Sequence, residues 1–227
     1  MILLGAAVAF APVFSGQTPA VESGPPSTMT RIVVRLVGDG IKPGSHAALP
    51  KTIYVADPHY ARIEDPPDAR VGVQKLTVIA EPDAYSVNLL DHKGTHAVDT
   101  GGEGDLHLPI VLPFDPKHRL GALDAVQFGQ EFEGFQAAKA VHEAGPIINS
   151  KPTDAYVLSL PNGKATLVLK AGTHVPIKLT WVDGDGAHTY EYIEYNDVPF
   201  DPALFKKPEN IQYREIPPDD GHSDRGC

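Results

Sequence analysis

Residues 177–192 have the sequence IKLTWVDGDGAHTYEY, and this stretch decides the fold because its hairpin register can be tested residue by residue. A turn at Gly184-Asp185 sets apolar and aromatic side chains opposite one another on one face. These cross-strand pairs are Trp181 with His188, Leu179 with Tyr190, and Ile177 with Tyr192. On the polar face Lys178 lies opposite Glu191, which predicts a cross-strand ion pair.

Two other stretches predict hairpins of the same kind. A type I′ turn at Asn162-Gly163 pairs Leu160 with Ala165, Leu158 with Leu167, and Tyr156 with Leu169. A turn over residues 81–84 pairs Ala80 with Tyr85, Val78 with Val87, and Leu76 with Leu89. Each pair of strands has one apolar face, which is typical of an antiparallel sheet that covers a core on one side only.

The rest of the chain predicts further strands and one helical region. The additional strands are expected at 30–37, 52–56, 60–64 and 96–100. One or two short helices are expected between Lys117 and Ala144, after an N-cap at Asp115-Pro116, and another helical turn begins at Asp201-Pro202. We therefore predict an α+β fold, a strongly curved antiparallel sheet (an incomplete β-barrel) of roughly nine to eleven strands wrapped around one to three short helices.

Composition and charge exclude several classes of function. Hydrophobic residues make up 42% of the 227 residues and charged residues 21%, as in ordinary globular proteins. The formal net charge is −10 and the basic residues are spread singly along the sequence, so nucleic acid is not an expected partner. The single cysteine, Cys227, allows neither an intrachain disulfide nor a cysteine-based metal site.

The N-terminus resembles a secretory signal. Residues 2–14 are apolar and too few to span a bilayer, although a basic segment before them is missing. We expect a signal peptide at 1–15, a linker at 16–27, one curved-sheet domain at 28–216, and a disordered tail at 217–227. This organisation predicts a periplasmic or secreted protein with no integral membrane span.

The serial hairpins, the Pro-rich segment LPIVLPFDP (108–116) and the ending YNDVPFDPALF (195–205) resemble the LolA-like carriers that sort bacterial outer-membrane lipoproteins. The resemblance covers most of residues 28–208 by pattern, and by residue only the short ending. It implies an unclosed barrel with a hydrophobic cavity that holds acyl chains.

On this basis we expect a non-enzymatic, monomeric protein that binds or carries a lipid or an acylated partner, without a cofactor. The candidate cavity residues are the aromatic and leucine side chains that the predicted registers place on the apolar face, together with the phenylalanines of the helical region. They are Tyr156, Leu158, Leu179, Trp181, Tyr190, Tyr192, Phe128, Phe132 and Phe135. Aromatic and aliphatic walls are typical of sites for apolar ligands.

Two alternatives remain open. The protein could be an interaction module with a filled core, which would bind another exported protein through its acidic surface. It could also be an aspartic-protease-like homodimer, because residues 97–101 (AVDTG) match the signature around a catalytic aspartate, here Asp99. Zinc at His92 and His96, with His107 or Glu103, and calcium at 183–194 are weaker interpretations, since turn chemistry explains both stretches.

Overall fold

The computed structural model describes residues 26–57, 59–98, 121–184 and 186–217, and its strands form one large sheet. The strands are β1 (Thr28–Gly38), β2 (Lys51–Ala56), β3 (Tyr60–Glu64), β4 (Lys75–Ala80), β5 (Asp83–Asn88), β6 (Lys93–Val98), β7 (Val141–Ala144), β8 (Thr153–Leu160), β9 (Gly163–Lys170), β10 (Pro176–Asp183), β11 (Gly186–Pro199) and β12 (Gln212–Ile216). The helix α1 spans Glu131–Ala137, and short 3-10 helices cover His46–Ala48, Gly121–Ala125 and Pro202–Phe205.

The order of strands across the sheet is β12-β6-β5-β4-β3-β2-β1-β11-β10-β9-β8-β7. Neighbouring strands are antiparallel except β6 and β12, which are parallel. The sheet is unclosed and forms an incomplete curved barrel with few helices, so the predicted fold class is confirmed. The described residues contain twelve strands rather than nine to eleven, because no clear pattern of residues predicts β7 or β12.

The predicted registers were right in one hairpin and displaced in two. Trp181 pairs with His188 and Leu179 with Tyr190, as predicted for 177–192. The ladder ends at Lys178 opposite Glu191, so it does not include the predicted pair of Ile177 with Tyr192. In the other two hairpins the turn residues are Glu81-Pro82 and Pro161-Asn162, and each register is displaced by two residues from the prediction. A displacement of two leaves every side chain on its predicted face, because side chains alternate with a period of two.

The helical region is shorter than predicted. Residues 121–125 form a 3-10 helix and 131–137 form α1, but 141–144 form strand β7 instead of the end of a helix. Phe128 precedes α1, in a turn where Gly129 has φ +85°, a conformation that favours glycine. The predicted N-cap at Asp115-Pro116 lies outside the described residues, while the predicted turn after Asp201 is confirmed, with the Asp201 carboxylate accepting from the Ala203 amide at 2.9 Å.

The sheet is packed on both faces, whereas the sequence predicted one apolar face. The main core lies on one face and combines strands from both halves of the sheet with α1 and the 3-10 helix at 121–125. On the opposite face Leu76, Val78, Tyr85 and Val87 form a second cluster with Ile211 and Tyr213. A third cluster joins Met29, Ala56 and Phe205. The segment 200–216 therefore covers part of the second face, which hairpin analysis alone could not show.

His96 in β6 ties the edge strand β12 to the sheet. Its Nε2 lies 2.7 Å from the carboxylate of Asp83 in β5, and its Nδ1 lies 2.6 Å from that of Glu215 in β12. The ring also stacks on Tyr85 with ring centroids 4.7 Å apart. The hydrogen bond to Asp83, followed by that to Glu215, raises the pKa of His96 above its ordinary value of 6.5. The charged imidazolium thus links three strands.

We predict that this link makes the free energy of unfolding fall as the pH rises above about 6.5. The folded state holds the His96 proton longer than the unfolded chain, so the stabilisation is full below the unfolded pKa and is lost as the pH rises through the folded pKa. His96→Gln should therefore cost stability at about pH 6 and much less at about pH 9, measured as urea unfolding midpoints. His142→Gln is the control, because His142 contacts one carboxylate, that of Asp154 at 3.2 Å, stacks on Tyr156 and has a side chain that is 57% exposed. An equal cost of His96→Gln at both pH values would contradict the prediction.

Candidate functional site: a groove at a step in the sheet

A difference in length between two neighbouring strands makes a step in the sheet. Strand β11 has fourteen residues and β10 has eight. Their pairing runs from Asp183 opposite Gly186 to Lys178 opposite Glu191. From Tyr192 onward β11 is paired with β1, and in the described part of the chain it has no ladder partner on the β10 side. A groove of about 490 Å³ lies at this step.

The groove has walls of mixed chemistry. Its apolar lining residues are Ile148, Pro152, Ala171, Val175, Pro176, Ile177 and Ile193. Its polar and aromatic lining residues are Asn149, Lys151, Thr153, Lys170, Tyr192 and Tyr195. Neither aspartate nor glutamate is among them, although the chain carries a formal charge of −10. An apolar surface with a few polar groups is the usual composition of a small-molecule site.

A β-bulge in β11 shapes one side of the groove. Val33 of β1 lies opposite Glu194 and Val34 lies opposite Tyr192, so Ile193 is the extra residue in the ladder. Ile193 is 51% exposed and lines the groove. The bulge also changes the side-chain alternation, so Tyr192 and Tyr195 fall on the same face of the sheet although they are three residues apart.

The loop between β7 and β8 forms a second side of the groove and is fixed by main-chain bonds. Ile148 and Lys151 exchange two backbone hydrogen bonds of 3.0 Å each. Asn149 and Ser150 between them have φ values of 50° and 60°, which makes this a type I′ turn. The Thr153 hydroxyl donates to the Pro146 carbonyl at 2.5 Å. The loop therefore holds Lys151 at the groove without help from a ligand.

The turn between β9 and β10 forms the third side and is attached to α1. The Lys170 amide donates to the Val175 carbonyl at 3.0 Å, which closes the turn. The His174 ring stacks on Phe132 of α1 with centroids 3.9 Å apart, and Phe132 packs edge-on against Tyr156 at 5.2 Å. The helix thus supports this wall from the core.

A buried carboxyl group lies behind the groove. Glu131, at the start of α1, is 1% exposed and accepts hydrogen bonds from the hydroxyls of Tyr192 at 3.0 Å and Tyr195 at 3.2 Å. It also accepts from the Gly129 amide at 3.1 Å. Because both tyrosines line the groove, these hydrogen bonds join the groove to the helix and the core.

Burial raises the pKa of Glu131 to about 7, and the hydrogen bonds to its carboxylate oppose this rise only in part. Burial, followed by the charge of Glu131, raises the pKa of both Tyr192 and Tyr195. Sequence reasoning missed Glu131 because it followed only the phenylalanines. The signal was present: Glu131 is three residues after Phe128 and four before Phe135, which places it on the phenylalanine face of a helix.

The nine predicted cavity residues come together in the main core. Seven are buried there, and Tyr156 and Tyr192 are partly buried against it. Tyr192 is also a lining residue of the groove. As ligand contacts the nine residues stay predictions, and the groove adds residues from loops that the sequence analysis did not consider.

The other predicted chemical sites have different outcomes. Asp99, Glu103, His107 and Asp185 lie outside the described residues. His92 is exposed in the turn before β6, and His96 is held by two carboxylates as described above. Among the described residues no three His, Cys, Asp or Glu side chains are grouped to hold a metal ion. Glu191 lies opposite Lys178, as predicted, but it forms its ion pair with Arg35, at 2.6 Å.

A second depression, of about 680 Å³, lies at the other end of the sheet near β12. Lys75, Lys93 and Arg214 line it, so the fold brings together basic residues that are scattered in the sequence. Four of its eight other lining residues are polar: Ser86, Asn88, Thr95 and Gln212. It shares positive charge with the groove at the step, and its apolar and aromatic lining residues are Val73, Val87 and Tyr213.

The fold of this chain is similar to those of several solved structures. The chain is similar to an uncharacterized conserved protein from Thermus thermophilus, with a TM-score of 0.51 and 11% identity over 84% of this chain and 91% of that one. It also matches a chain of the MucA/MucB complex of Pseudomonas aeruginosa, with a TM-score of 0.41 and 11% identity over 83% of this chain and 59% of that one. A LolA superfamily protein from Nitrosomonas europaea matches with a TM-score of 0.35 and 10% identity over 80% of this chain and 90% of that one.

The chain thus resembles these structures weakly, a LolA superfamily protein among them, and at these identities the likeness concerns the fold alone. No protein-family model matches the sequence, and no curated protein matches it. In the part of the chain that the structure describes, no helix is both long enough and apolar enough to cross a bilayer.

We predict that, because of Glu131, the free energy of unfolding falls as the pH rises from 4.5 to about 7. The first value is the ordinary pKa of glutamate and the second is the pKa of Glu131 in the folded protein. In this range the folded state binds the proton that the unfolded chain releases, so the free energy of unfolding falls by on the order of 3 kcal/mol at most. Glu131→Gln should remove this component, since an amide oxygen can still accept from Gly129 while its nitrogen donates to a tyrosine hydroxyl. Urea unfolding of both proteins between about pH 4.5 and pH 8 tests this.

Glu143→Gln is the control, because Glu143 of β7 is exposed and forms no ion pair within the described residues, whereas Glu133 lies 3.8 Å from His174. The control variant should leave the pH dependence of the wild type unchanged. A Glu131→Gln variant with the same pH dependence as the wild type would contradict the prediction.

Proposed function

We propose that this protein is an exported, monomeric, non-enzymatic protein that binds or carries a lipid or an acylated partner in the groove at the step. Burial of the acyl chain against the apolar wall would supply the binding free energy, and no covalent chemistry is needed. Residues 28–216 would be the folded, functional unit, after a signal at 1–15 and a linker at 16–27.

The groove is the single observation that carries this proposal. Its volume of about 490 Å³ is within the range of roughly 300–1,000 Å³ that is usual for small-molecule sites. The exposed Ile193 and the neighbouring Ile177 offer apolar surface at a point where the ladder ends. Main-chain hydrogen bonds fix the walls, which lowers the entropic cost of binding.

A second candidate function is an interaction module with a filled core, and the packing of the main core favours it. Seven of the nine predicted cavity residues are buried against one another, as in an ordinary core. A module of this kind would bind another exported protein on its surface and would take up no amphiphile.

Native mass spectrometry of the full chain after periplasmic expression distinguishes the two functions. The carrier proposal predicts a stoichiometric adduct of lipid size that is lost on denaturation, and solvent extraction would identify its class. Protein with no adduct that also takes up no added fatty acid or lipopeptide would overturn the carrier proposal and favour the interaction module.

A pair of variants tests whether the groove is the binding site. Ile193→Asn places a polar group on the apolar wall, so affinity for dodecan-1-ol should fall about fivefold or more, by isothermal titration calorimetry. Val71→Asn is the matched control, because Val71 is also exposed, at 69%, and lies outside the groove lining. Equal affinity of the two variants would exclude the groove.

A further inference from the structure

We infer that the groove at the step selects amphiphiles with a negatively charged head group, which Lys151 and Lys170 bind while the apolar wall takes the chain. This inference rests on the proposed function and names its ligand class. The ligand that we propose for the groove is a fatty acid with one acyl chain and a carboxylate head group.

The charge of the groove differs in sign from that of the protein. The chain has 29 acidic and 19 basic residues, yet two lysines and no carboxylate line the groove. Neither lysine forms an ion pair within the described residues. The nearby carboxylate of Asp154 is already engaged, because it accepts from the Gly172 amide at 2.9 Å and lies 3.2 Å from His142.

The fold fixes the backbone positions of both lysines. Lys170 ends β9 directly opposite Thr153 of β8, and Lys151 precedes Thr153 by two residues. Lys151 is the last residue of the type I′ turn, and the Lys170 amide closes the turn between β9 and β10. Both side chains are exposed, so their ammonium groups can reach an anion at the mouth of the groove. An ammonium bonded to a carboxylate is a strong, charge-assisted pair.

The three hydroxyl groups that line the groove are not free to donate to the head group. The Thr153 hydroxyl already donates to the Pro146 carbonyl, and the hydroxyls of Tyr192 and Tyr195 donate to Glu131. The lysines are therefore the charged donors that the lining leaves for a ligand. Anion binding at one end and apolar burial at the other together describe an amphiphile.

The volume of the groove suits one chain. At about 30 Å³ for each group of water size, about 490 Å³ holds roughly sixteen such groups. This corresponds to about one chain of twelve to sixteen carbons with its head group. The inference therefore favours a single-chain acid over a lipid with two or three chains.

The depression near β12 provides an internal control. Lys75 and Lys93 are exposed, as Lys151 and Lys170 are, and their replacement changes the net charge by the same amount. The test compares Lys151→Gln/Lys170→Gln with Lys75→Gln/Lys93→Gln in the full chain. Each protein is titrated calorimetrically with laurate and with dodecan-1-ol, both below the concentration at which they aggregate.

The inference predicts that the Lys151→Gln/Lys170→Gln variant loses about tenfold in affinity for laurate and is unchanged towards dodecan-1-ol. The control variant should bind both as the wild type does. The difference for laurate should also shrink at high salt, because salt screens exposed charges.

Three results would overturn the inference, and they are distinguishable. If the wild type binds both probes and the groove variant binds laurate unchanged, head-group recognition is wrong and the proposed function stands. If both double variants lose laurate affinity equally, the effect is the long-range field of the protein and not a site. If neither probe binds to the wild type, the proposed function fails together with the inference.

Discussion

The antiparallel pairing of β1 with β11 is the interaction on which the rest of the structure depends. It joins a seven-strand arm, β12 to β1, to a five-strand arm, β11 to β7, and no other ladder connects the two arms within the described residues. The two strands are more than a hundred residues apart in sequence, so their pairing carries a large loop-closure cost. Buried Ile32 and Val34 on one face, and the ion pairs of Arg31 with Glu194 and Arg35 with Glu191 on the other, offset this cost.

The bulge in this ladder links the fold to the candidate site. In a regular strand Tyr192 and Tyr195 would point to opposite faces, because their spacing is odd. The extra residue Ile193 puts both hydroxyls on the side of α1, where Glu131 accepts from them, and places its own side chain at the groove. One inserted residue thus creates the tyrosine pair and part of the apolar wall.

Local patterns in the sequence predicted the hairpins but not the distant pairings. The register of 177–192 was right because its glycine-rich turn leaves few alternatives, and the other two registers were displaced because the turns use Glu81-Pro82 and Pro161-Asn162 instead. The predicted faces survived, since the displacement was an even number of residues. Strand β12 pairs in parallel with β6, from Gln212 opposite Lys93, and a contact of that sequence separation has no signature in a local pattern.

The candidate site could not be predicted from the sequence, for related reasons. The groove depends on where β10 stops relative to β11 and on a bulge that breaks the alternation, and neither is visible in residue spacing. The spacing of Glu131 from Phe128 and Phe135 could have placed it on the phenylalanine face of a predicted helix, but a carboxyl is expected at the surface.

The buried Glu131 carboxyl contributes more to the specific placement of α1 than to the stability of the fold. An apolar residue would fill the same volume without the cost of burying a carboxyl, so the main core does not need this group to be stable. What the carboxyl adds is direction: its oxygens accept from the Gly129 amide and two tyrosine hydroxyls, which fixes the start of α1 against the bulge of β11. Since α1 also supports the turn between β9 and β10 through Phe132 and His174, this one group sets the relative position of two sides of the groove. A filled core and a fixed groove are therefore compatible, because the polar contacts that position the walls lie inside the core itself.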